Sequence, residues 1–202
     1  MIKNYIFDFG NVLTVFCPKK LTALYISDEK SIKEISDVVF DHKHWNKLDA
    51  GLITDEEIRE IISSRVPCEL KEIALKVYND WIYNLTPINE MIEIVKDMKK
   101  KGKKLYLLSN ISIGFAEVYE SIKWIKELFL VFDGVVFSGP LKMAKPQKEI
   151  FEYTLDKYNL SAEESLFIDD KEENVKGAED VGINGYLFDG NADKFKNYID
   201  NL

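Results

Sequence analysis

From Thr86 onward the chain alternates amphipathic runs of helix length with short apolar runs of strand length, and this alternation restricts its fold more than any other feature. Thr86-Pro87 reads as an N-cap with proline in the first helical position, Ile88 to Lys101 is amphipathic, and Gly102 stops it. Leu105 to Leu108 reads as a buried strand ending in Ser109-Asn110, Phe115 to Leu128 as a helix, and Val135 to Phe137 as a strand. Lys145-Pro146 is expected to open a helix running through Tyr158. Leu166 to Ile168 is a strand ending in Asp169-Asp170, Glu172 to Val181 a helix stopped by Gly182, and Gly185 to Phe188 a last strand. Strands separated by helices cross over to lie parallel, which predicts an α/β fold with a doubly wound parallel sheet.

Tyr5-Ile6-Phe7, an aromatic and β-branched run, supplies the first strand and delivers Asp8 to a turn at Gly10-Asn11. In such a sheet the loops at the carboxyl ends of the strands line a crevice. Asp8, Ser109-Asn110, Lys145 and Asp169-Asp170 can all converge there. Each alone has a structural use as turn, cap or solvated charge, but joint placement at equivalent positions points to a site. Between Pro18 and Tyr83 no segment reads as a strand. Ser31 to Phe40 and Glu69 to Tyr83 have helical periodicity, and Thr54 to Glu57 is a capping box ahead of Ile58, Ile61 and Ile62. Residues 18–83 are therefore expected to form an inserted all-helical cap, with 1–17 and 84–202 forming the core.

The net charge of -8 argues against nucleic acid or an anionic membrane as partner, so an anionic substrate needs a local positive site. Cys17 and Cys68 have neither metal-ligand nor paired spacing, and a reducing, cytoplasmic setting is the simplest expectation. No apolar run reaches membrane-spanning length. His42 and His44 are assigned to the surface or packing of the cap, while Trp45, Trp81 and Tyr83 either pack the cap or face substrate. The lysines of Lys99 to Lys104 read as a solvated helix end.

Four segments together resemble the motifs of the haloacid dehalogenase superfamily, most of whose members are phosphatases. They are Asp8-Phe9-Gly10-Asn11-Val12, Leu107-Leu108-Ser109-Asn110, Lys145-Pro146 with Ile150-Phe151, and Phe167-Ile168-Asp169-Asp170 with Asn174. The helical block, including Trp45 to Thr54, is similar to the cap of one subgroup, and the Gly-Asn form of the first motif looks closest to bacterial α-glucose-1-phosphate phosphatases. The resemblance implies a phosphatase acting on a small phosphorylated metabolite, a sugar phosphate, as a monomer or weak homodimer. It implies Asp8 as nucleophile, Lys145 and Ser109 as its catalytic partners, and Asn110, Gly10 and Asn11 as substrate-binding residues. Magnesium would be held by Asp8, the Gly10 carbonyl and Asp170, with Asp169 bound or in the outer shell. Elementary electrostatics agrees, since an anionic nucleophile approaches a phosphoryl group only when cations offset the repulsion.

One position departs from the pattern. Phosphatases of the family carry a second aspartate two residues after the nucleophile as general acid and base, and here Gly10 occupies that place. Proton transfer is left without a residue. A C-halogen hydrolase also lacks this acid, but needs no metal and typically lacks an acidic pair such as Asp169-Asp170. A catalytically idle relative that binds metal and phosphate is the third alternative.

Overall fold

β1 (Asn4–Phe7) is buried along its whole length because a strand lies on each side of it and helices cover both faces. The computed structural model describes the whole chain, Met1–Leu202. β1 pairs in parallel with β4 (Lys104–Ser109) and β6 (Ser165–Asp169), and β5 (Gly134–Phe137) and β7 (Asn184–Leu187) extend the sheet to the order β5-β4-β1-β6-β7. Period-two alternation divides the strands between two apolar layers. Tyr5, Phe7, Leu105, Leu107, Leu166 and Ile168 face one layer, while Ile6, Tyr106, Leu108 and Phe167 face the other. The chain builds outward from β1 to β4 and β5, then crosses back to β6 and β7. The crevice of such a sheet opens where that reversal occurs, at the carboxyl ends of β4, β1 and β6.

The inserted block is helical, as its periodicity predicts. It comprises α1 (Pro18–Ala23), α2 (Glu29–Val39), α3 (His42–Asp49), α4 (Asp55–Arg65) and α5 (Lys71–Asp80), around an apolar cluster of their own. The capping box forms, with the Thr54 hydroxyl accepting from the Glu57 N–H at 3.1 Å and the Glu57 carboxylate from the Thr54 N–H at 2.7 Å.

Some elements differ from expectation. Thr86-Pro87 does not cap a helix; as β3 it pairs antiparallel with β2 (Thr14–Val15), and the Ile88 N–H donates to the Leu13 carbonyl at 2.9 Å. This ribbon ties together the two strands of chain that enter and leave the cap. α6 (Asn89–Lys100) starts after it and ends before Gly102, whose φ of 77° needs glycine. The long helix expected after Asn110 is two, α7 (Ile113–Val118) and α8 (Lys123–Phe129). The Ser121 hydroxyl takes the Val118 carbonyl at 2.7 Å, which competes with continued helix. α9 (Ser138–Leu141) follows β5 directly, and α10 (Lys148–Tyr158) starts three residues beyond Lys145, after a turn closed by Gln147 N–H to the Ala144 carbonyl at 2.9 Å. α11 (Glu172–Glu179) and α12 (Ala192–Asp200) complete the fold, the latter unpredicted and anchored by buried Phe195. No helix is long and apolar enough to cross a membrane.

Candidate active site

Asp8 follows β1 immediately, and its N–H donates to the Ile168 carbonyl at 2.9 Å, so β6 fixes its backbone at the edge of the crevice. The side chain is buried. Its Oδ1 accepts from the Ser109 hydroxyl at 2.8 Å and pairs with the Lys145 ammonium at 2.8 Å, which leaves Oδ2 without a protein donor. Lys145 is itself buried and spends its other donors on Asp169 Oδ2 at 2.7 Å and the Leu108 carbonyl at 3.0 Å. Burial works against the lysine charge, but Asp169 and Asp8 outweigh it and hold the ammonium above its ordinary range. Burial pushes the Asp8 carboxyl up to about 6 against the pull of Lys145, and the Asp169 charge adds to the push.

The structure brings seven of the eight predicted site residues to the crevice and sets Asp169 behind them, and several make contacts other than those expected. The Ser109 hydroxyl serves Asp8. The Asn110 side chain clamps the Lys145 backbone, donating to its carbonyl and accepting from its N–H, both at 2.9 Å, while the Asn110 N–H has no protein acceptor. Asn11 donates to Asp170 at 3.1 Å and accepts from the Phe16 N–H at 3.0 Å. Both amides are engaged with neighbours, which leaves their side chains little to offer a substrate. Asn11, not Gly10, carries the left-handed backbone of the turn, with φ of 54°.

Asp169 is fully buried and both its oxygens are taken, by Lys145, by the Lys171 N–H at 2.8 Å and by the Asn174 amide at 3.0 Å. It holds Lys145 in place, which sets it behind the acids that reach the cavity. A divalent cation is a good fit beside it. Asp8, Asp169 and Asp170 offer oxygens within 4.8 Å of one another, and a single buried lysine faces three carboxylates. Burial raises the Asp170 carboxyl as well, despite the Asn11 hydrogen bond. The Gly10 carbonyl accepts no protein hydrogen bond and lines the same cavity. Hard oxygen donors with free positions suit magnesium, and Asp8, Asp170 and the Gly10 carbonyl are the groups that could hold it.

Above these groups lies a cavity of about 350 Å³. The cap contributes α3 residues His42, Trp45, Asn46 and Asp49, spaced to share one helix face, together with Phe40 and Trp81. His42 is exposed, as expected of a residue on the cap surface, and it also lines the cavity. His44 does not; it pairs with Asp41 at 2.9 Å, as does Arg65, and Asp41 caps α3. Trp45 and Trp81 both line the cavity and pack on each other at 5.2 Å, whereas Tyr83 is exposed and outside it. Asn46, Asp49 and Lys171 were missed. The i, i+3, i+4, i+7 pattern from His42 to Asp49 was the available signal.

A strand-end crevice roofed by helices inserted after β1 defines a doubly wound α/β protein with a helical cap over its candidate site. Residues 2–182 match the haloacid dehalogenase-like hydrolases, and the chain belongs to that family. It is 27% identical over 183 residues to a sesquiterpene phosphatase of Aspergillus oryzae, spanning 91% of this chain and 88% of the relative. It is 25% identical over 205 residues to the D-ribitol-5-phosphate phosphatase of Bacteroides thetaiotaomicron, spanning 96% and 95%. A haloacid dehalogenase family enzyme of Bacteroides thetaiotaomicron, solved with magnesium and inorganic phosphate, is similar with a TM-score of 0.63 at 25% identity, covering 93% of this chain and 94% of that one. The L-2-haloacid dehalogenase of Xanthobacter autotrophicus shares the fold, with a TM-score of 0.65 at 17% identity, covering 93% and 77%.

Proposed function

We propose that the protein is a magnesium-dependent phosphatase that hydrolyses a small sugar phosphate through an aspartyl-phosphate on Asp8. The observation that carries this reading is Asp8 itself, a buried carboxylate with one oxygen fixed by Lys145 and Ser109 and the other unengaged, beside Asp170. Relatives of nearly full coverage with phosphatase activity support it. Bound magnesium supplies the positive charge that lets two anions meet. Lys145 keeps Asp8 ionised and oriented, the free Asp8 oxygen attacks phosphorus, and the Asn110 N–H is available to a phosphoryl oxygen. The acidic pair Asp169-Asp170 is not what a metal-free C-halogen hydrolase requires.

His42 and Asn46 offer hydrogen bonds to sugar hydroxyls from the cap side. A second reading, an apolar alkyl phosphate, is favoured by the rings of Phe16, Phe40, Trp45, Trp81 and Phe115 around the same space. A panel of sugar, polyol and long-chain alkyl phosphates with magnesium separates the two, and 2-haloacids without metal complete it. Turnover of haloacids alone would overturn both. If sugars are the substrates, Asn46→Ala should raise KM for them several-fold and leave a small aryl phosphate unaffected; equal losses on both esters would remove Asn46 from recognition.

Magnesium affinity should depend on pH. Because burial raises Asp8 to about 6, protons compete with the cation below that value, and the apparent affinity falls up to about tenfold per pH unit. Calorimetric titration at pH 5 and pH 7.5 checks this. Equal affinities would mean that Asp8 is not a ligand.

A further inference from the structure

We propose that Asp49, the last residue of α3, is the general acid and base of the reaction, the group that position 10 does not supply; this role rests on the phosphatase reading above. Asp49 lines the same cavity as Asp8, Lys145 and Lys171, but it comes from the cap, on the side where a leaving group extends away from the strand ends. Its backbone is fixed to the core. The Asp49 carbonyl accepts from the Ser138 hydroxyl at 2.5 Å, and Gly51, with φ of 64°, lies so close to Gly139 that an added Cβ would stand 2.2 Å from the Gly139 oxygen. The C-terminal end of α3 is thereby held against α9, while the half-buried Asp49 carboxylate has no hydrogen-bond partner in the protein. An unpaired acid held over a phosphoryl site is free to exchange protons with whatever occupies the cavity.

Its environment supports this. Burial raises the Asp49 carboxyl well above the ordinary range; Lys171 opposes the rise, Asp8 adds to it and Lys145 opposes it. Position 10, meanwhile, has no backbone need for glycine, since it avoids the left-handed region and a Cβ there would meet nothing within 4 Å. The acid has a different location in this chain.

In the first step an Asp8 oxygen bonds to phosphorus, the bond from phosphorus to the ester oxygen breaks with its electron pair on that oxygen, and the Asp49 carboxyl gives it a proton. In the second, the Asp49 carboxylate takes a proton from water as the water oxygen bonds to phosphorus. The bond to Asp8 breaks, its electron pair returning to the carboxylate, and the products are an alcohol and inorganic phosphate.

The test compares n-butyl phosphate, whose leaving oxygen must be protonated, with 4-nitrophenyl phosphate, whose leaving group departs as an anion, both with magnesium. Asn keeps the backbone bond to Ser138, so Asp49→Asn retains the fold. It should lower kcat for butyl phosphate about 10²- to 10⁴-fold. With the aryl ester it should release one equivalent of nitrophenolate near the wild-type rate and then turn over slowly, because the second step has lost its base. Asp49→Glu should recover part of both activities, and Gly10→Asp placed in the Asp49→Asn background should restore butyl phosphate hydrolysis. Equal losses on both esters without a burst, or near-normal rates on both, would overturn the role. Wild-type turnover of neither ester would instead overturn the phosphatase reading, and this role with it.

Discussion

Asp8→Asn should abolish turnover, lowering kcat by at least about 10⁴-fold, while leaving the protein as stable as wild type or more so. The amide preserves shape and still accepts from Ser109 and Lys145, but it cannot attack phosphorus and is a poor metal ligand. The stability half follows from linkage. The folded Asp8 carboxyl titrates near 6, above its unfolded value of 3.8, so its contribution is favourable below the unfolded value and is lost as pH rises through about 6. Above that pH the charge opposes folding, and asparagine removes the opposition. Thermal unfolding of both proteins at pH 8 without magnesium, beside steady-state assays, measures the two halves separately. Residual turnover would end the covalent mechanism; a less stable variant would show that the Asp8 charge supports the fold.

Lys145→Ala should be damaging in both respects. Removing one partner from a buried ionic cluster typically costs about 3–5 kcal/mol, because the remaining charges are left uncompensated. Here two carboxylates, Asp8 and Asp169, lose the same ammonium. Loss of a positioned electrostatic group should also lower kcat about 10²- to 10³-fold. The stability deficit should depend on pH. Without Lys145 the Asp8 carboxyl rises further, so its penalty is absent below the unfolded value of 3.8 and grows as pH increases through the raised folded value. Denaturant unfolding at pH 5 and pH 8 should therefore show a smaller deficit at pH 5. A deficit equal at both would mean that Lys145 acts through packing of its stem.

The core elements were legible because they follow from local pattern and one topological rule. Apolar runs such as Leu105 to Leu108, alternating with amphipathic helices, are the pattern of a parallel sheet, and parallel pairing carries every strand end to the same edge. Asp8, Asn110, Lys145 and Asp170 could be read as one cluster on that basis. The cap could be read as helical for the same local reason, and its capping box formed as written. The β2–β3 ribbon escaped notice because two-residue strands have no periodicity, and Thr86-Pro87 carries a helix-start pattern that pairing with Thr14-Val15 overrides.

The sequence by itself determined which residues stand at the strand ends, since periodicity and alternation are properties of neighbouring positions. Which atoms touch was decided only by the tertiary structure. The Ser109 hydroxyl meets Asp8 across 101 residues of chain, Asp169 is spent on Lys145, Lys171 and Asn174, and Asp49 reaches the cavity because Ser138, 89 residues away, holds its carbonyl. A one-dimensional pattern fixes the face on which a side chain lies, but its direction and partners depend on packing between elements that are remote in sequence.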